Sequence, residues 1–206
     1  MADPAIPQQF IDGADLIYQW APALARPIEA GVQALLACVT GGGKILLCGN
    51  GASGALAQYA AALLVGGLDR PRPELPALAL GADAATLTAL TRRGEYADSI
   101  AAQVRALGNA DDALVVFSSN GQSVNLIRAV QVAHERDLTV IALTGRGGGE
   151  LARLLRDTDV LITVPPGHES AAHIHAAHLL VINGLCEGLD DQLLGDEASG
   201  HEEKRA

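Results

Sequence analysis

The side chains best suited to gripping an oxyanion lie in two short runs, Gly49-Asn50-Gly51-Ala52-Ser53-Gly54 and Ser118-Ser119-Asn120-Gly121-Gln122-Ser123. Each follows an apolar run (Ile45 to Cys48 and Leu114 to Phe117) and precedes a helical pattern. At such a strand-to-helix turn the first helical N–H groups lack partners, and the helix dipole favours negative charge. Ser118, Ser119 and Ser123 add hydroxyl donors, a combination suited to a terminal phosphomonoester rather than a shared pyrophosphate. One serine is enough to cap a helix, so three in one loop point to a ligand.

Other chemistries are less well supplied. Gly49, Gly51 and Gly54 satisfy G-x-G-x-x-G, but Asp69 and Asp83 are poorly placed for the acidic residue that a dinucleotide fold sets against the ribose. No G-x-x-x-x-G-K-[ST] occurs. Arg92 and Arg93, in the loop after the second strand, could hold an additional phosphate or carboxylate, or form an exposed helix end. His168, His173, His175 and His178 cluster late in the chain, with His175 and His178 three apart on one helix and Glu169 four before His173. No Cys or carboxylate set completes four ligands around them, so no metal site is expected. G-x-S-x-G is absent, and Ser53 has no His and Asp at recognisable triad positions. Cys48, in a hydrophobic strand, reads as packing.

These groups need elements to position them. Short apolar runs at Ile45 to Cys48, Ala77 to Leu80, Leu114 to Phe117, Val140 to Thr144 and Val160 to Val164 read as strands. Helical stretches lie between and after them, at Ala55 to Val65, Ala84 to Leu107 (as two helices), Val124 to Glu135, Glu150 to Arg156 and Ser170 to Leu189. The alternation predicts an α/β, doubly wound parallel sheet with ligands at the carboxyl ends of its strands, where both loops fall. Before it, Leu16, Ile17, Trp20 and Leu24 form one stripe, and Ile28, Val32, Leu35, Leu36 and Val39 another. Pro22 and Pro27 predict breaks between the two, and Gly41-Gly42-Gly43 a stop. These helices cover either the domain's own sheet or another subunit.

Composition narrows the class. In 206 residues, 49% are hydrophobic and only 3% aromatic, enough for one domain with an aliphatic core. The formal net charge of −10 argues against direct nucleic-acid binding. Cys38, Cys48 and Cys186 show no C-x-x-C spacing and fit reduced thiols in a cytoplasmic protein. No apolar segment has the uninterrupted length of a membrane span, and Met1-Ala2-Asp3-Pro4 does not begin a signal peptide.

Cys48 to Ser53 (C-G-N-G-A-S), Phe117 to Ser123 (F-S-S-N-G-Q-S) and Val140 to Gly145 (V-I-A-L-T-G) resemble the SIS, or sugar isomerase, domain. From about Ile11 to Leu194 the chain is similar to the branch holding the phosphoheptose isomerases and the DnaA initiator-associating proteins. Gln103 to Gly108, Thr144-Gly145 and Gly148 to Ala152 lean towards the latter. The resemblance implies a five-stranded, three-layer, flavodoxin-like sandwich and a homotetramer built partly through N-terminal helices. It divides the chain into a helical segment 1–43, a SIS domain 44–194 and an acidic tail 195–206. It implies a sugar phosphate with Asn50, Gly51 and Ala52 facing the sugar, Ser53 supporting that loop, and Ser118, Ser119, Asn120 and Ser123 holding the phosphate. Arg92 and Arg93 stand where the family commonly has Asn-Asp facing the sugar, and with His175 they are candidates for further contacts.

In the isomerases of that branch a Glu and a His move the proton, and a His, that Glu, a Gln and the second His bind zinc. The matching positions here are Tyr59, Leu63, His175 and Asn183. Leucine neither takes a proton nor binds zinc, and a lost acid or base costs about 10² to 10⁴ in rate. The expectation is therefore a phosphosugar-binding scaffold without catalysis, metal or cofactor, whose Leu193 and Leu194 would contact the initiator DnaA. The alternative is a sedoheptulose 7-phosphate isomerase, or a related sugar-phosphate isomerase, with an altered site.

Overall fold

The computed structural model describes residues 5–92, 96–166 and 170–195. Helix α1 (Ala5–Thr40) is followed by β1 (Ile45–Gly49), α2 (Ala52–Gly66), β2 (Ala77–Ala79), α3 (Ala84–Thr91), α4 (Ser99–Leu107) and β3 (Ala113–Ser118). Then come α5 (Val124–Glu135), β4 (Thr139–Thr144), α6 (Gly149–Leu154), β5 (Val160–Thr163) and α7 (Ala171–Leu194). The five strands form one parallel sheet in the order β2-β1-β3-β4-β5.

Burial follows from strand periodicity, since successive side chains leave opposite faces. Ile45 and Leu47 of β1, with Val115 and Phe117 of β3, face the layer of α1, α2 and α7. Leu46, Cys48, Leu114 and Val116 face α4, α5 and α6. The central strands β1, β3 and β4 therefore read as continuous apolar runs, as a sheet covered on both sides requires.

The predicted break in the N-terminal helices does not occur: α1 runs through Pro22 and Pro27 as one helix. Each proline removes an N–H donor and costs about 3 kcal/mol in a helix interior. Against this, Trp20, Leu24, Val32, Leu35 and Cys38 are buried, with Leu16, Ile28, Leu36 and Val39 packed beside them. At about 1.5–3 kcal/mol for each large side chain, the stripe outweighs the two prolines. It lies on α7 and β5, so α1 belongs to the same core as the sheet. Among the described residues α1 is the one helix long and apolar enough to cross a membrane.

The far end of α7 is tied back to α2. Arg72, with a side chain 1% exposed, donates to Asp190 (2.5 Å) and to the carbonyls of Leu63 (3.0 Å) and Leu64 (2.8 Å). Leu193 packs against the core, whereas Leu194 is 40% exposed.

Candidate active site

The sheet order reverses direction between β1 and β3. The helix after β1 lies on the α1–α7 face and the helix after β3 on the α4–α6 face. Such a switch point leaves a crevice outside the carboxyl ends of the two strands. Register pairs Gly49 with Phe117 there, so the loops Asn50–Gly51 and Ser119–Ser123 leave the sheet side by side.

Each loop is shaped by its own residues. Gly51 has φ +54°, a left-handed conformation at which glycine carries no Cβ penalty, and Ala52 begins α2 directly after it. Ser118 is buried, and its Oγ accepts the N–H of Gly121 (3.0 Å). Its own proton remains to donate. Asn120 Oδ1 accepts the N–H of Gln122 (3.1 Å), a side-chain turn that mimics a backbone one. Gly121 has φ +65°, and a Cβ there would lie 1.8 Å from the Gly148 carbonyl oxygen. The loop thus rests backbone to backbone on the turn after β4, and the Leu151 N–H donates to the Gly121 carbonyl (3.1 Å). Ser119 and Ser123 are half-buried, and their hydroxyls have no protein partner among the described residues. Ser123 sits at the N-cap of α5 without using its side chain as the cap. Two hydroxyls and the first N–H groups of α5 therefore stand open to an anion.

The two loops are joined by side chains. Asn50 Nδ2 donates to Asn125 Oδ1 (2.9 Å), Asn125 Nδ2 donates to Asn50 Oδ1 (2.8 Å), and the Tyr96 hydroxyl also donates to Asn50 Oδ1 (2.9 Å). A cleft of about 170 Å³ opens beside them, lined by Asn50, Gly51, Gln58, Tyr96, Ser99 and Asn125. The sequence reading missed Asn125 and Tyr96. Asn125 had a signal, a polar residue on the buried side of the first turn of α5; Tyr96 had none.

From α7, His175 comes to the first loop. Its Nε2 lies 3.3 Å from Ser53 Oγ, so Ser53 does have a histidine partner, 122 residues away. His178, one turn on, is fully buried. Its Nε2 donates to the Thr144 carbonyl (3.2 Å), its Nδ1 has no partner among the described residues, and its ring meets Phe117 edge-on. Burial, with His175 nearby, pushes its pKa down to about 4 despite the Thr144 bond, so the ring is neutral. Burial pushes the Cys48 thiol up to about 12, leaving it unreactive at neutral pH. Arg92 is exposed at the end of α3; Arg93, His168 and Glu169 lie outside the described residues.

The zinc that the resemblance implies does not fit the donors present. Tyr59 Oη donates to Asn183 Oδ1 (2.9 Å), which occupies both side chains with each other. Leu63 offers no donor atom, and a lone imidazole, His175, is left where zinc takes four N, S or carboxylate ligands. Among the described residues no group of three or more His, Cys, Asp or Glu comes together to hold a metal.

A doubly wound sheet with an open serine loop at its switch point defines a phosphosugar-binding domain, and the SIS domain family model matches residues 9–145. The chain belongs to the SIS family. It is 48% identical over 197 residues to a phosphoheptose isomerase of Methylibium petroleiphilum, covering 96% of this chain and 98% of that one. It is 46% identical over 171 residues to a phosphoheptose isomerase of Neisseria gonorrhoeae, covering 83% and 86%. Among solved structures, phosphoheptose isomerase GmhA from N. gonorrhoeae superposes with a TM-score of 0.85 at 41% identity, covering 91% of this chain and 97% of that one. The Francisella tularensis enzyme gives 0.86 at 37% identity with the same coverage.

These relatives overturn the expectation of a non-catalytic, DnaA-binding scaffold. The curated relatives carry an enzyme's name at 42–48% identity over most of the chain, and initiator association finds no support among them. Leu63 and Asn183 remove one way of moving a proton.

Proposed function

We propose that the protein is a sugar-phosphate aldose–ketose isomerase acting on a heptose phosphate such as sedoheptulose 7-phosphate. The observation that carries this reading is the 48% identity to a phosphoheptose isomerase along nearly the whole of both chains. Loop geometry supports it: Ser119, Ser123, the Ser118 proton and the α5 N–H groups take the phosphate, and Asn50 to Ala52 face the sugar. Aldose and ketose differ by a proton moved between neighbouring carbons, so the site must position a carbonyl and its adjacent carbon against an acid–base group. The protein works in the cytoplasm as an oligomer of identical copies, a state supported by the exposed Ile6, Phe10, Ile11 and Tyr18 of α1 and Leu179 and Leu180 of α7.

The test is turnover of sedoheptulose 7-phosphate followed by NMR. Ser119→Ala should raise KM by about 10- to 100-fold, since a hydrogen bond to a charged group is worth about 1.5–3 kcal/mol. Wild-type protein that leaves the ketose unchanged would overturn the proposal.

A further inference from the structure

We propose that the His175 imidazole, oriented by the Ser53 hydroxyl, moves the substrate proton, and that it does so without a bound metal. The inference rests on the isomerase reading above and names the group that performs its chemistry.

Of the titratable groups described around the two loops, the Tyr59 hydroxyl is spent on Asn183 and the Tyr96 hydroxyl on Asn50. His178 is sealed in the core on the Thr144 carbonyl, and Cys48 is wholly buried beneath the first loop. His175 differs from all four. It is half-buried, stands beside the sugar-facing loop, and has one ring nitrogen placed by Ser53 and the other without a partner among the described residues. In the tautomer this step uses, Nε2–H donates to Ser53 Oγ and Nδ1 carries the lone pair. A buried oxygen plays this orienting part for catalytic histidines on other folds. Ser53 is 4% exposed and so holds the ring from a fixed position.

The step balances without a further reagent. Nδ1 takes a proton from the ketose carbon next to the carbonyl, the C–H electron pair becomes the C=C bond of the enediol, and the carbonyl oxygen takes a proton from water. Nδ1–H then returns its proton to the former carbonyl carbon. The neighbouring hydroxyl gives its proton to water and becomes the aldehyde, and the imidazole is restored.

The experiment uses chelator-washed full-length protein and sedoheptulose 7-phosphate in D2O, reading turnover, deuterium incorporation and sugar-phosphate affinity. Turnover and exchange should persist after chelation. His175→Gln should lower kcat by about 10² to 10⁴ while the Kd for the sugar phosphate and the melting temperature hold. Added imidazole should restore part of the turnover of His175→Ala, which a merely structural role would not allow. Ser53→Ala should lower kcat while KM holds. Full turnover in His175→Gln, or turnover lost on chelation and regained with zinc, overturns this inference and leaves the isomerase reading standing. Wild-type protein that binds the sugar phosphate but neither exchanges nor turns over overturns both.

Discussion

The side-chain amides of Asn50 and Asn125, 75 positions apart in sequence, each donate to the other's carbonyl oxygen, so the loop after β1 and the helix after β3 hold one another in register. In a crevice formed by two separate crossovers, the spacing of the loop after β1 from the serine loop depends on such a cross-link.

Asn125→Ala should therefore disturb binding as well as folding. Asn125 is 2% exposed, and its loss leaves the Asn50 Nδ2 without its acceptor and the Asn50 Oδ1 with the Tyr96 hydroxyl alone. A buried polar group without a partner costs about 1–3 kcal/mol. Urea unfolding should show that loss, and kinetics should show a raised KM for the sugar phosphate; an unchanged KM would mean that the loops are spaced by other means.

Gly121→Ala tests the backbone seat of the phosphate loop. The added Cβ would meet the Gly148 carbonyl oxygen at 1.8 Å, at a positive φ that non-glycine residues rarely adopt. Strain and displacement together should cost about 2–5 kcal/mol. Thermal unfolding should register the loss, and phosphate protection against heating should vanish.

Asp190→Ala should be more damaging than its place near the end of α7 suggests. It leaves the Arg72 guanidinium buried without a counter-ion, which typically costs about 3–5 kcal/mol. Replacing both partners by apolar residues of similar volume should recover much of it, as a double-mutant comparison of unfolding midpoints would reveal.

His178 predicts an acid-sensitive stability. Its pKa falls from 6.5 to about 4 on folding because burial disfavours the charged ring. Between those values the unfolded chain binds a proton that the folded chain refuses, so stability rises with pH across pH 4 to 6.5 and is lost as pH falls through that window. The gap corresponds to about 3 kcal/mol. Unfolding at pH 4.5 and pH 7.5 should differ by most of that amount, and His178→Gln should flatten the difference.

Much of this was legible in the sequence because local rules dominate an α/β core. The boundaries of α5 coincide with the expected Val124 to Glu135, and the five strands fall within one residue of their apolar runs. The serine loop was visible because three hydroxyls exceed the needs of a cap. What stayed hidden depended on distance. Ser53 and His175 meet from opposite ends of the chain, and Tyr59 closes on Asn183 across 124 positions. Pro22 and Pro27 do not break α1 for a related reason, since their cost is local while the burial that offsets it comes from α7 and β5. The functional misreading came from carrying a mechanism across position by position: Leu63 records a lost carboxylate but says nothing about where His175 points.

The phosphate loop sits on the turn after β4 through main-chain atoms, with Gly121 against Gly148 and Leu151 bonded to the Gly121 carbonyl. Such a seat is indifferent to which side chains surround it. On the proposed reading, residues on α7 can change without loosening the grip on phosphate, so the handle common to all sugar phosphates is separated from the surface that decides what happens to the rest of the molecule. A fold divided in this way can exchange one proton-moving group for another in small steps while substrate still arrives and stays.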